Sequence, residues 1–393
     1  MSEQQTDWHQ VKIGELLTEH SERSTSSNQH EVLSVTKDGI FSQREYFKKQ
    51  IASEDNSGYK VVRRGDVVFS AMNLWMGSID VVKDQEIGIV SPAYITMRPT
   101  EGLIDTGFLG YFLRGDEMRK KYVQHSQQGA SIVRRNLNKD DLLDEEVCIP
   151  PLPEQKKIAE ILSGIDKTIS NELRAIAKTE TILIGIFADL DLIASSGKTA
   201  ILGETARVQN GYAFQSSTFS EDPGDIPLVR ISNITGGIVD TSKSKRIPRS
   251  LVPSDEYKVR KGDILIAMSG ATTGKIGEYQ EDIPCLLNQR VGKFEFLQGE
   301  ESAFFTSQLL LSGFLESRIL AKAAGGAQPN ISGKGIEEIE VPLPDAADQL
   351  KYGSAIQKLL AIKSRRRFLV EKYGQLKQAM AADLLSGRTR VSV

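Results

Sequence analysis

The sequence predicts an α+β protein: two similar globular domains joined by two long antiparallel helices that form a coiled coil. Three observations predict it. The chain carries one pattern twice, each copy opens with short β-rich runs broken by turns, and each copy closes with a long amphipathic stripe. Tyr59-Lys60-Val61-Val62-Arg63-Arg64-Gly65-Asp66-Val67-Val68 returns as Tyr257-Lys258-Val259-Arg260-Lys261-Gly262-Asp263-Ile264-Leu265. The same offset overlays Gly77 on Gly274 and Gly129-Ala130 on Gly326-Ala327. Pro151-Leu152-Pro153 is answered by Pro342-Leu343-Pro344, and Ser196-Gly197-Lys198-Thr199 by Ser386-Gly387-Arg388-Thr389. Units of this size are too long for a solenoid. They make a pseudo-two-fold internal repeat, which suits a target that itself has two halves.

The first domain is expected over 1–150. Val61-Val62, Val67-Val68-Phe69 and Ile79-Asp80-Val81-Val82 read as strands, with Gly65-Asp66 and Gly77 as turns. Phe108 to Tyr122 reads as a helix, as does Phe304 to Leu320 in the second copy. Over 151–196 the texture changes to apolar residues at Ile158, Leu162, Ile165, Ile169, Ile176, Leu183, Ile186 and Leu190, interrupted by Glu172 and Thr179. The second domain follows at 197–341. The second helix occupies 342–393, with a stripe of Leu359, Ile362, Leu369, Tyr373, Leu376 and Met380 broken by Arg366. Helices this long, roughly 60 Å each at 1.5 Å per residue, need a partner along their length. Packing on each other supplies it; the alternative is that each covers its own domain.

Composition is that of an ordinary globular protein, with 39% hydrophobic and 26% charged residues in 393. No apolar run approaches a membrane span and no signal-peptide pattern opens the chain. Cys148 and Cys285 are isolated, which fits a reducing cytoplasm. The net charge of −3 means that any nucleic-acid affinity must come from local basic patches.

Enzyme signatures fail in turn. Gly270-Ala271-Thr272-Thr273-Gly274-Lys275-Ile276 has one residue too few between its glycines for a phosphate loop, and Ile replaces the magnesium-binding Ser or Thr. Ser269 lacks the flanking glycine of a nucleophile elbow. His9, His20, His30 and His125 form no metal-type pair, and the second copy has no His. Ile149-Pro150-Pro151-Leu152 does not replace the Asn-Pro-Pro-aromatic motif of amino-methyltransferases. An active site within the chain is therefore not expected.

The remaining candidates are groups that grip phosphates or read base edges. The basic ones are Arg63, Arg64, Arg119-Lys120-Lys121, Arg134, Arg135, Lys243, Lys245, Arg246 and Lys275. Polar and aromatic candidates are Asn73, Gln128, Asn136, Asn210, Tyr212, Thr272, Thr273, Gln328 and Asn330. The competing reading makes each basic pair a solvated surface, and Tyr212 with Phe214 a strand edge turned partly to the core.

Together these features resemble the specificity subunits of type I restriction–modification systems. Cys148-Ile149-Pro150-Pro151-Leu152-Pro153-Glu154-Gln155-Lys156-Lys157-Ile158-Ala159 looks like the entry to that family's first conserved helix. Asn210-Gly211-Tyr212-Ala213-Phe214, Gly262-Asp263-Ile264-Leu265 and Asn330-Ile331-Ser332 look like phrases of its target-recognition domains. The resemblance implies that each domain reads half of a bipartite sequence in double-stranded DNA. It implies that the helices set the spacer and dock two methyltransferase (M) subunits, and that restriction (R) subunits join them. Glu154, Gln155, Ile158, Asp348 and Gln349 would be partner-binding. No cofactor is expected in this chain: S-adenosylmethionine would sit in the methyltransferase partner, ATP and magnesium in the restriction partner. Asp348-Gln349 stands three residues later than Glu154-Gln155 relative to its Pro-Leu-Pro, leaving the register of the second helix open. Rival readings are a helical scaffold with peptide-binding ends and a DNA methyltransferase.

Overall fold

The computed structural model describes residues 8–46, 55–128, 135–297, 299–323 and 329–392. It divides into two compact units, Met1–Glu172 with Leu369–Val393, and Leu173–Phe368. Each unit is thus a globular head together with a part of both long helices.

In the first unit an antiparallel sheet runs Leu17–Glu19, Tyr94–Pro99, Val67–Ser70, Ile79–Val81. In the second the same order appears as Ala206–Asn210, Val291–Phe296, Ile264–Ala267, Ile276–Glu278, extended by Gly237–Val239 and Ile234–Thr235. The central strands read as unbroken apolar runs because both of their faces are covered. Val67 and Phe69 join the core beneath the helices, while Val68 joins Leu33, Val62 and Val90 on the other face. Ile264 and Ile266 likewise separate from Leu265 and Ala267. A strand buried on one side only would alternate instead.

The duplication extends to individual hydrogen bonds. Asp66 Oδ2 accepts the Arg63 N–H at 2.8 Å, and Asp263 Oδ2 accepts the Arg260 N–H at 2.7 Å. The preceding glycines, Gly65 at φ 94° and Gly262 at φ 91°, donate to the carbonyls of Val82 and Tyr279. This left-handed turn, locked by its own carboxylate, is what the repeated Gly-Asp encodes.

Each predicted mid-domain helix is two. Thr106–Arg114 and Asp116–Gln124 meet at Gly115, whose extended backbone ends one and begins the other. Glu300–Leu311 and Glu316–Ala323 repeat the arrangement. Phe108, Leu109, Met118 and Tyr122 still share one core, so the periodicity was right although the backbone turns.

The long helices are Leu152–Ser195 and Ala346–Leu385. On the first, Ile158, Leu162, Ile176, Thr179, Leu183 and Leu190 are all buried. Thr179 is accommodated because its hydroxyl donates back to the Ala175 carbonyl at 2.8 Å. The two helices pair antiparallel within each unit. In the first, Asp166 on one helix meets Lys377 on the other at 2.6 Å, and Glu154 meets Arg390, in the segment that follows the second helix, at 2.7 Å. In the second, Glu180 meets Lys363 at 2.8 Å, and Leu183 and Leu190 share a core with Ile356 and Leu359. The stripe expected on the second helix is partly wrong. Ile362 and Leu376 are 43% and 46% exposed, and Lys363 and Lys377 hold more sheltered positions instead. Their aliphatic stems cover apolar surface while their ammonium groups reach carboxylates on the facing helix, which hydrophobic periodicity cannot register.

The open register of the second helix has a definite answer. Gln155 Nε2 donates to the Pro150 carbonyl at 2.8 Å, and Gln349 Nε2 donates to the Pro344 carbonyl at 2.8 Å. Pro150 therefore corresponds to Pro344, so that Asp348-Gln349 matches Glu154-Gln155. Asp345 caps the second helix by accepting the Asp348 N–H at 3.1 Å.

Candidate nucleic-acid interface

In each head the connection between the third and fourth strands of the shared sheet forms a tip, met by a segment returning from the helical layer. In the first head this tip is Met72-Asn73-Leu74-Trp75-Met76, ending at Gly77. Arg135 reaches it twice. Its N–H donates to the Met72 carbonyl at 3.2 Å, and its guanidinium stacks over Trp75 at 4.3 Å from the ring centroid. Arg119 flanks the other side, since a Cβ on Gly77 would lie 3.2 Å from its Nη2. Among the described residues neither Arg119 nor Arg135 has a carboxylate partner. Trp75 Nε1 and Arg135 Nε are buried without hydrogen-bond partners. Asn136 and Gln127 stand exposed on the adjoining hairpin, where Gln127 pairs with Asn136 and Gln128 with Arg135.

The second head repeats the tip as Ser269-Gly270-Ala271-Thr272-Thr273. Gly270 N–H donates to the Pro329 carbonyl at 3.1 Å, and Ser269 bridges to Asn330, which is exposed. Thr272 Oγ1 is buried and unpartnered, whereas Thr273 is committed to the carbonyls of Gly270 and Pro329 at 2.7 and 3.0 Å. Two arginines adjoin this tip. The Met268 N–H donates to the carbonyl of exposed Arg290 at 3.0 Å, and a Cβ on Gly270 would lie 3.3 Å from Ile231, next to Arg230. Neither has a carboxylate partner among the described residues.

Asn210 and Tyr212 lie beside this region. The Tyr212 carbonyl accepts from Gln289 N–H at 2.9 Å, immediately before Arg290. Tyr212 is 41% exposed, edge-on to Phe214 and Tyr257 at 4.9 and 5.3 Å. The Gly211 between them passes so close to the neighbouring strand that a Cβ would lie 2.1 Å from the Asn288 carbonyl oxygen. Gly211→Ala is therefore expected to cost at least 1–3 kcal/mol, about what overpacking costs elsewhere. Urea unfolding of the purified chain checks this value.

Several basic candidates are spoken for. Arg63 forms a bidentate pair with Glu22 at 2.5 and 2.7 Å, and this hydrogen bonding holds the Glu22 carboxyl below its usual range. Arg64 pairs with Glu86, Lys245 with Glu221 and Lys275 with Glu316. The hydrogen bond from Lys245 likewise holds the Glu221 carboxyl low. Arg246 spends its guanidinium on the carbonyls of Pro223 and Asp225. In this structure the side chains of these five are engaged within the fold, by a carboxylate or by backbone carbonyls. Lys243 is exposed. Arg134 and Gln328 fall outside the described residues.

The expected docking residues need correction too. Ile158 and Gln155 are fully buried, and Gln155 Oε1 also accepts the Asp105 N–H at 2.8 Å. Glu154 is 3% exposed and bound to Arg390. Gln349 is 7% exposed and accepts from the Ser302 hydroxyl at 2.8 Å; Asp348 is half-buried in the first turn. Ile158, Gln155 and Gln349 fasten head to helix and Glu154 ties the first helix to the C-terminal segment, so these four side chains are engaged inside the chain.

Sequence reasoning missed Trp75, Arg230 and Arg290. The signal was available for Trp75, which precedes the repeated glycine of the tip. Arg230 and Arg290 sit alone in the sequence and are recruited only by strand pairing. Among the described residues no group of three or more His, Cys, Asp or Glu side chains is arranged to hold a metal ion, and no helix is long and apolar enough to cross a membrane.

Known proteins share both the sequence pattern and the fold. Residues 5–180 and 198–370 match the family model described as the type I restriction modification DNA specificity domain. The chain is 24% identical over 415 residues to the type I restriction enzyme MjaVIII specificity subunit of Methanocaldococcus jannaschii, covering 98% of this chain and 93% of that one. It is 29% identical over 191 residues to the EcoBI specificity subunit of Escherichia coli, covering 48% of this chain and 38% of the relative. The crystal structure of a type I restriction–modification S subunit from M. genitalium has the same fold, with a TM-score of 0.63 and 17% identity over 96% of each chain. With both halves of its duplicated pattern matched, this chain belongs to the family of type I restriction modification DNA specificity subunits and carries the specificity domain twice.

Proposed function

We propose that this chain reads a bipartite sequence in double-stranded DNA, each head recognising one half through its tip. The observation that carries the reading is the recurrence of the tip. In both heads the same strand connection has two arginines without carboxylate partners among the described residues and an exposed amide close to it, in a chain of net charge −3. Unpaired guanidinium groups beside amide side chains are the chemistry of phosphate gripping and base-edge readout. The paired helices fix the interval between the half-sites, since a helix keeps its length as a flexible linker does not. They also dock two methyltransferase subunits, which restriction subunits join, in a cytoplasmic complex. Adenine methylation then belongs to the partner with its S-adenosylmethionine, and ATP and magnesium serve the restriction subunit.

Exchanging residues 8–150 for the first head of a relative with another specificity is the test. The expected outcome is a new first half-site with the second unchanged, read from methylated positions in cellular DNA. A change in both halves would rule out two independent readers.

A further inference from the structure

The two tips occupy the same strand connection but differ in surface. In the first head Met72 and Met76 are 40% and 37% exposed, although they flank Trp75, which is half-buried beneath Arg135. In the second head the corresponding stretch is Gly270-Ala271-Thr272-Thr273, with no large apolar side chain. Unbranched methionines gain little by lying in water at the end of a strand connection. Here they stand among two uncompensated arginines, Arg119 and Arg135, and the amides of Asn73, Gln127 and Asn136. Phosphates supply the charge that these arginines lack within the fold, which suits a surface that meets DNA. In the major groove the apolar feature on a base edge is the C5-methyl of thymine, while the minor groove offers no such group.

We infer that Met72 and Met76 are specificity-determining contacts to thymine methyl groups, so that the half-site read by the first head contains at least one A·T pair recognised through its methyl. The inference rests on the recognition reading above and sharpens it. The guanidinium of Arg135, held flat by Trp75, and the amide of Asn73 border the same patch. Polar readout and methyl contact therefore fall on neighbouring base pairs. The second head has no counterpart, and its half-site is read without apolar contact from this tip.

The test replaces thymine by uracil, which lacks only that methyl, one position at a time across both half-sites. Binding is measured with the full chain co-expressed with its methyltransferase partner; the head exchange identifies which half-site belongs to which head. At one or two positions of the first half-site, uracil should weaken binding about fourfold, the worth of one buried methyl. Met72→Ala or Met76→Ala should weaken binding to the thymine duplex by a similar factor and abolish the difference between thymine and uracil. The scan on the unaltered chain needs no variant, so a folding defect cannot imitate the result. A first half-site without thymine, or a uracil effect that survives both substitutions, overturns the inference. A methionine-dependent effect in the second half-site overturns it as well. If no duplex is bound with any sequence preference, the recognition reading itself has failed.

Discussion

Arg390→Ala is expected to destabilise the first unit by about 3–5 kcal/mol, the range for stranding one member of a buried ion pair. Glu154 is 3% exposed, and both of its carboxylate oxygens lie 2.7 Å from the Arg390 guanidinium. The desolvation of that carboxylate is offset by this fork-shaped contact. Arg390 also faces Trp8, at 5.9 Å from its ring, and the neighbouring Val391 packs on the first core. Removing the guanidinium leaves the carboxylate with a long hydrogen bond from the Val391 N–H, at 3.5 Å, in place of the two-point contact. The double variant Glu154→Gln with Arg390→Ala should recover most of the loss, because an amide tolerates burial far better than a lone charge. Denaturant unfolding followed on all three proteins checks the claim. A loss below about 1 kcal/mol would place the pair with ordinary surface bridges.

Adding one helical turn to both long helices, beside Glu172 in the first and at the facing stretch of the second, should lengthen the unread spacer by one or two base pairs. A turn adds about 5.4 Å, and base pairs are spaced about 3.4 Å apart along each strand. Both helices must be lengthened, since extending one would slide ion pairs such as Glu180–Lys363 and Asp166–Lys377 out of register. Recognition of the half-sites themselves should be unaffected. A spacer that keeps its length in the modified protein would mean that the helices do not measure the interval.

Much of this architecture is legible in the sequence. The repeated Gly-Asp reported a turn that both heads close with the same carboxylate, and the stripe from Ile158 to Leu190 reported a buried seam. What sequence missed has physical causes. Lys363 and Lys377 pass for solvent-facing residues because their stems and head groups behave differently, so the second seam was drawn through Ile362 and Leu376. Gln155 and Gln349 looked like a docking motif because they stand at the helix entrances, yet their amides close bonds back to Pro150 and Pro344. Basic pairs such as Arg63-Arg64 drew attention by adjacency, whereas carboxylates distant in sequence had claimed both. That Arg119, Arg135, Arg230 and Arg290 lack carboxylate partners among the described residues is visible only once the fold has distributed the acids.

The most direct test of the central claim is a map of methylated adenines across DNA in cells that contain this chain and the methyltransferase subunits proposed as its partners. The account predicts one split motif, two short specified blocks around an unspecified interval of fixed length, lost when the chain is deleted. A contiguous motif, or a split one that persists without the chain, would contradict it.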